Sequence, residues 1–264
     1  MTRCCLAYVL AILTGTAVFS DDGDGGWSSP NDSTLHGSGI CNIDTHSAGS
    51  LTQKEFLQRY AFTEPVIIKD FDNSDFRRLC TRDELDKSYG NLTVQLSSAN
   101  TYSYKKVSVL FRDYLEHYLK PQKFDQPGNE TFYLFGDIDR GEWNELLRHY
   151  PRLPWSLPEH KSELSFGIAG AGTGVPFHFH GPGFGEVVYG KKHWFLYPPD
   201  RQPQFDPDQS TLHWFHRRYP LLDREEKPLE CALGPGHLLY FPDRWWHATL
   251  NLRTSVFMST FLSP

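Results

Sequence analysis

The chain has 264 residues, of which 39% are hydrophobic and a high 15% aromatic. This profile belongs to one large or two small folded domains and excludes a disordered or collagen-like chain. Lys and Arg total 26 against 32 Asp and Glu, a formal charge of -6, which excludes the broad basic footprint of a nucleic-acid binder. With only two Met among so many aromatics, the core is expected to be β-rich.

Arg3 forms a positive start, Cys4 to Val18 is a nearly uncharged apolar run, and Ser20 is followed at once by Asp21 and Asp22. This is the pattern of a cleaved secretory signal at residues 1–20. The run is shorter than the ~20 apolar residues that span a bilayer. No second stretch of spanning length follows, so the mature chain is expected to be lumenal, in the endoplasmic reticulum, and not membrane-spanning. The C-terminal Phe-Leu-Ser-Pro is no retrieval signal, so secretion is the other outcome. Three glycosylation sequons begin at Asn31, Asn91 and Asn129. Cys4 and Cys5 leave with the signal. Cys41, Cys80 and Cys231 then allow one disulfide and one free thiol, in three possible pairings. An oxidising lumen favours one structural bond.

Residues 21–50 are rich in Gly, Ser, Asp and Asn and read as a flexible mature N-terminus. Overlapping capping boxes at Ser50–Gln53 and Thr52–Glu55 open a helix through Tyr60. Pro65–Ile68 is a strand. Thr81–Glu84 caps a second helix that ends at Gly90. Strands follow at Thr93–Leu96 and Tyr102–Val107, an amphipathic helix at Val109–Leu119, a strand at Thr131–Phe135 and a short helix at Trp143–Tyr150. From Leu164 the pattern changes to short strands broken by Gly and Pro. They fall at Leu164–Ile168, Val175–Phe179, Glu186–Tyr189, His193–Tyr197, Leu229–Ala232, His237–Phe241, Trp246–Leu250 and Ser255–Phe261. A helical insert lies at Pro207–Pro220, and His213 and His216 read as its solvated face. This is a mainly β sandwich or barrel with helical N-terminal decoration. Trp194, Tyr197, Trp245 and Trp246 are expected to fill its interior.

His178-Phe-His180 alternates on a predicted strand, which puts both imidazoles on one face. His247 lies in a later strand. Two same-face histidines and a distant third are how a β-barrel holds a divalent metal, with positions left open for water or substrate.

The surroundings carry a resemblance. They read Gly172-Thr-Gly-Val-Pro-Phe-His178, then Gly190-Lys-Lys-His-Trp-Phe-Leu-Tyr-Pro-Pro199. Next comes Gly234-Pro-Gly-His-Leu-Leu-Tyr-Phe-Pro-Asp-Arg-Trp-Trp-His-Ala-Thr-Leu-Asn-Leu252. With Glu55-Phe-Leu57, Pro65–Ile68 and Phe111-Arg-Asp-Tyr-Leu115, this order resembles the jumonji C (JmjC) family of cupin-fold proteins over residues 51–264. The resemblance implies a double-stranded β-helix with its barrel core at about 164–264. It also implies Fe(II) and 2-oxoglutarate as cofactors, with protein hydroxylation or lysine demethylation as the activity of working members. His178 and His247 match the family's metal histidines, and Lys192 matches its co-substrate lysine. Two positions depart. His180 stands where the family has Asp or Glu, and Val175 stands where it has a hydroxyl donor. Glu186 is a candidate substitute ligand, or else a carboxylate at the barrel lip.

Degeneracy at two positions points to a non-catalytic regulatory or protein-interaction protein. On this reading His178, His180 and His247 are the metal set, for Fe(II) or another divalent metal, Lys192 is the cofactor-binding candidate, and little or no 2-oxoglutarate turnover is expected. The alternatives are an Fe(II)/2-oxoglutarate-dependent hydroxylase of lumenal proteins and a three-histidine metal enzyme of another class, such as a zinc hydrolase.

Overall fold

A computed structural model describes residues 23–28, 35–136 and 143–264. The expected signal segment 1–20 and Asn31 lie outside the described residues. Among those described, no helix is long and apolar enough to cross a membrane.

The N-terminal third alternates short helices with strands. Strand β1 (Thr45–Ser47) precedes helix α1 (Gln53–Arg59) and strand β2 (Val66–Lys69). Helix α1 starts where Thr52 accepts a hydrogen bond from the Glu55 N–H at 3.1 Å. Helix α3 (Arg82–Tyr89) starts in the same way at Thr81. Both caps satisfy an N–H that helix geometry leaves unpaired. Helix α2 (Ser74–Leu79) has no side-chain cap, which is why the sequence does not announce it. Its N-cap residue, Asn73, donates its amide to the buried Glu186 instead.

Strands β3 (Thr93–Ser98) and β4 (Lys106–Leu110) form a hairpin. The helix expected at 109–119 is shorter than predicted. Val109 and Leu110 are held in β4 by pairing with Val94 and Thr93. The chain then makes one helical turn, α4 (Phe111–Asp113), and a π-helical turn at Tyr114–Tyr118. Strand β5 (Phe132–Gly136) and helix α5 (Asn144–Leu147) complete this part. The barrel strands are β6 (Lys161–Ala169), β7 (Gly183–Tyr189), β8 (Lys192–Tyr197), β9 (Leu229–Leu233), β10 (His237–Phe241), β11 (Trp246–Asn251) and β12 (Ser255–Ser263). Helix α6 (Thr211–Arg217) is the insert between β8 and β9.

The strands form two sheets. Nine run in the order β1-β2-β10-β7-β12-β6-β5-β3-β4, and three in the order β11-β8-β9. Alternation along each strand gives one set of side chains to the space between the sheets. Trp194, Leu196 and Leu233 from the small sheet meet Val187, Leu239 and Phe241 from the large one. The outer face of the large sheet buries Phe166, Ile168, Val188 and Met258 under Phe76, Leu85, Phe111 and Tyr114 of the N-terminal helices. Each such side chain, fully buried, contributes about 1.5–3 kcal/mol. The outer face of the small sheet packs Phe195, Ala248 and Leu250 against Leu212 and Trp214 of α6. Tyr197 packs on this outer side too, with Trp246 partly buried beside it. Only Trp194 and Trp245 of the four expected interior aromatics belong to the inner cluster. Strand parity explains it: Tyr197 is three residues from Trp194, and Trp246 neighbours the inward His247.

Two further expectations give way to tertiary contacts. Residues 175–179 form no strand; one bridge pairs His178 with His247. Pro176 lacks an N–H, and Gly174 lies so close to β11 that a Cβ there would sit 1.7 Å from the Thr249 carbonyl oxygen. The stretch read as a flexible N-terminus is packed where it is described. Trp27 is buried and donates its indole N–H to the Cys80 carbonyl at 3.0 Å. Cys41 is disulfide-bonded to Cys231 on β9, and β1 pairs in parallel with β2. Polar composition misled here because the segment is held by long-range ties rather than by its own core.

Candidate metal centre

His247 lies on β11, with its side chain turned to the space between the sheets. His178 reaches the same space from the adjoining bridge, where its N–H donates to the His247 carbonyl at 3.1 Å and the His247 N–H donates back at 2.8 Å. His180 follows two residues on. The ligand nitrogens of the three imidazoles lie within 4.8 Å of one another.

Their orientation is fixed by backbone carbonyls. Nδ1 of His178 faces Pro176 O at 2.9 Å, Nδ1 of His180 faces Gly181 O at 2.8 Å, and Nδ1 of His247 faces Trp245 O at 2.9 Å. A carbonyl only accepts, so each Nδ1 carries the proton and each Nε2 keeps a free lone pair. Carbonyl-oriented imidazoles of this kind are typical of metal ligands. The Nε2 atoms of His180 and His247 are 3.2 Å apart. Two lone pairs at that distance make no hydrogen bond. A tetrahedral metal with bonds of about 2.0–2.1 Å sets ligand nitrogens about 3.3 Å apart. The donor set therefore fits a divalent metal.

Electrostatics agree. Burial lowers the His178 pKa to about 4, with electrostatic interaction with His180 and Lys192 adding to the effect. Burial also lowers His180. His247 lies well below its ordinary value through burial and its two imidazole neighbours. All three stay neutral near pH 7, as ligands must be.

The co-substrate half of the site is different. Lys192 opens β8, is buried, and shares the interior with the histidines; burial lowers its pKa to about 7. Its Nζ lies 3.3 Å from the centre of the Phe257 ring. Val175 offers only a methyl surface, and its N–H donates to the Thr249 hydroxyl at 3.2 Å. A cavity of about 550 Å³ adjoins His178 and Val175, with Tyr133, Ser97, Thr101 and Lys106 among its walls. The donor set fits a divalent metal, whereas at Lys192 the Phe257 ring stands against the ammonium where a carboxylate would pair with it.

Glu186 is neither a ligand nor a lip carboxylate. It points to the other face of β7, buried beneath the helices, where the Tyr150 hydroxyl and the Asn73 amide donate to it. Its neighbour Val187 is the inward residue, so strand parity alone removes Glu186 from the centre. His213 and His216 sit on α6, outside the barrel; His213 stacks on Phe124 at 5.6 Å. Phe257 and Thr249 were missed by sequence reasoning. The signal available was the period-two spacing of Phe257 with Ser255 and Ser259 on β12, which faces them inward together.

Two sheets enclosing converging imidazoles define a cupin-type barrel, and the chain belongs to the JmjC cupin family: residues 52–261 match the family described as "Cupin-like domain". The chain is similar to JmjC domain-containing protein 8 of mammals. The Homo sapiens protein is 52% identical over 242 residues, covering 91% of each chain. The Mus musculus protein is 48% identical over 97% of this chain and 96% of its own. A lysine-specific demethylase of Arabidopsis thaliana is 29% identical over 84% of this chain but only 26% of its own length. Among solved structures, Escherichia coli ycfD matches with a TM-score of 0.48 and 19% identity, over 81% of this chain. This chain spans about half of that one, 53%. The chain is thus a JmjC-domain protein related to JmjC demethylases.

Proposed function

We propose that this chain is a protein-binding, non-catalytic JmjC protein of the endoplasmic reticulum lumen that keeps a three-imidazole metal centre without 2-oxoglutarate oxygenase activity. One observation carries the reading: among the described residues the ligand cluster consists of His178, His180 and His247 with no carboxylate. Non-haem iron oxygenases use two histidines and one carboxylate, and an all-neutral set leaves the metal a full charge more positive. Val175 removes a second requirement, the hydroxyl that would share the co-substrate carboxylate. A divalent metal held by His178, His180 and His247 would supply a Lewis-acid centre. The chain's own residues set the imidazole tautomers and hold the rings from behind. The lumenal part of the reading is supported by the signal pattern at 1–20, the sequons and the Cys41–Cys231 bond. The net charge of -6 does not suit nucleic acid, so the partners proposed are proteins.

The test is metal analysis of the purified, glycosylated protein together with 2-oxoglutarate decarboxylation. Bound metal with no succinate formed is the expected result. Changing His178 and His247 to Ala should abolish metal uptake and leave protein partners in a pull-down. Iron-dependent turnover that vanishes in this double variant would establish the hydroxylase instead. Lys192 in the same interior is the observation that favours that second reading.

A further inference from the structure

Lys192 is 5% exposed and shares the inward side of β8 with Trp194 and Leu196. Among the described residues no carboxylate pairs with it; desolvation is the influence acting on its charge. What covers the ammonium is aromatic. The Phe257 ring centre is 3.3 Å from Nζ, and the Trp194 ring centre 5.9 Å.

Phe257 is firmly seated. It lies opposite Gly167 in the β12–β6 register, and a Cβ at Gly167 would come within 2.4 Å of its ring. Any larger residue at position 167 would displace the ring. Phe135 packs against it at 5.5 Å between ring centres. Tyr133, Ala169 and Val175 belong to the same apolar cluster. The residue that lacks the family's hydroxyl and the residue that covers the lysine are therefore parts of one wall.

A carboxylate bonds an ammonium at about 2.7–2.9 Å and along its N–H directions. The electron-rich face of the ring satisfies the same cation in the same place. We infer that Phe257 is a built-in plug: its ring takes the carboxylate position on Lys192, so that the interior beside the three histidines rejects dicarboxylate co-substrates such as 2-oxoglutarate. This deepens, and rests on, the reading that the chain does not run oxygenase chemistry. It also means that Val175→Thr alone does not restore co-substrate binding, because the hydroxyl would be added beside a position already filled.

The experiment is calorimetric titration of the full glycosylated chain with 2-oxoglutarate in the presence of Mn(II). The wild type should show no saturable binding at millimolar ligand. Phe257→Ser should bind at least about tenfold tighter, a difference of about 1.4 kcal/mol. Adding Lys192→Met to that variant should remove the gain. Equal affinity of the wild type and a folded Phe257→Ser protein overturns the plug. If Phe257→Ser does not fold, the wild type answers by NMR. The Lys192 ε-methylene protons should be displaced upfield by the ring and unmoved by added 2-oxoglutarate; a ligand-induced return overturns the inference. Decarboxylation is scored separately. Turnover by the wild type would sink the non-catalytic reading, whereas equal binding without turnover would sink only the plug.

Discussion

His180 is the residue on which the chemistry turns. Its Nδ1 is tied to the Gly181 carbonyl and its Nε2 faces His247, an orientation that suits a metal ligand. Replacing His247 by Ala should reduce divalent-metal affinity by more than about a hundredfold, since even loss of an outer partner costs ten- to a hundredfold; competition with a chelating dye measures it. A second residue-scale test concerns backbone clearance. Gly174→Ala would force a methyl group onto the Thr249 carbonyl. It should cost about 3 kcal/mol or more in chemical denaturation, because both sides of the contact are backbone and neither can swing away. The same change should also loosen metal binding, as Gly174 sets the path of the chain into His178.

Elements show how local signals and long-range contacts share control. Thr52 caps α1 through a local hydrogen bond, and Thr52→Ala should lower stability by about 1 kcal/mol. Strand β7 is different. Its alternation buries Glu186 beneath α2, where burial raises the pKa from 4.5 to about 8 against the opposing bonds from Tyr150 and Asn73 and the nearby Arg77 charge. The folded state therefore binds a proton that the unfolded chain has already released between pH 4.5 and 8. This group's contribution is full below 4.5 and is lost as pH rises through 8. Glu186→Gln cannot ionise, so its stability should fall less than the wild type's over that window. Urea midpoints at pH 5, 7 and 8.5 would show whether the wild type loses more stability than the variant; parallel curves would place the proton elsewhere. The Cys80 thiol, buried beside the same carboxylate, is pushed well up and stays protonated.

At the scale of the molecule, residues 35–50 act as a strap across the barrel. Cys41 is bonded to Cys231, the Asn42 N–H donates to the Glu230 carbonyl at 3.1 Å, and the Ser38 hydroxyl donates to the Glu230 carboxylate at 2.6 Å. His193 and Tyr219 also face that carboxylate, at 2.9 and 2.5 Å. Removing the disulfide by Cys41→Ala and Cys231→Ala should cost about 2–5 kcal/mol, read as a lower melting temperature that reducing agent no longer affects. Asn91 is exposed in a turn, and Asn129 is half-exposed with its amide donating to the Tyr104 hydroxyl at 3.0 Å. We propose both as glycosylation sites. Peptide mass spectrometry of protein from a secretory host should find glycans at both, and unmodified sequons with an intact Met1 would count against the lumenal proposal.

The sequence by itself determined what depends on neighbours in the chain. Thr52 and Thr81 mark their helices because a cap is a bond between residues three apart. His237–Phe241 was legible to the residue as a strand because its pattern is local. The three histidines could be picked out by spacing and by their surroundings, and the resemblance to the JmjC family came from contiguous motifs. Only the tertiary structure decided the rest. Val175–Phe179 is a good strand pattern whose partner, β11, pairs with it at a single bridge. Glu186 is eight residues from His178 in sequence, yet the parity of β7 sends it to the opposite face. The pairing of Cys41 with Cys231 spans 190 residues, a distance at which no local pattern distinguishes it from the alternatives. Phe257 reaches Lys192 because β12 and β8 belong to opposing sheets, and the side chains that meet across a barrel are set by the closure of the whole fold.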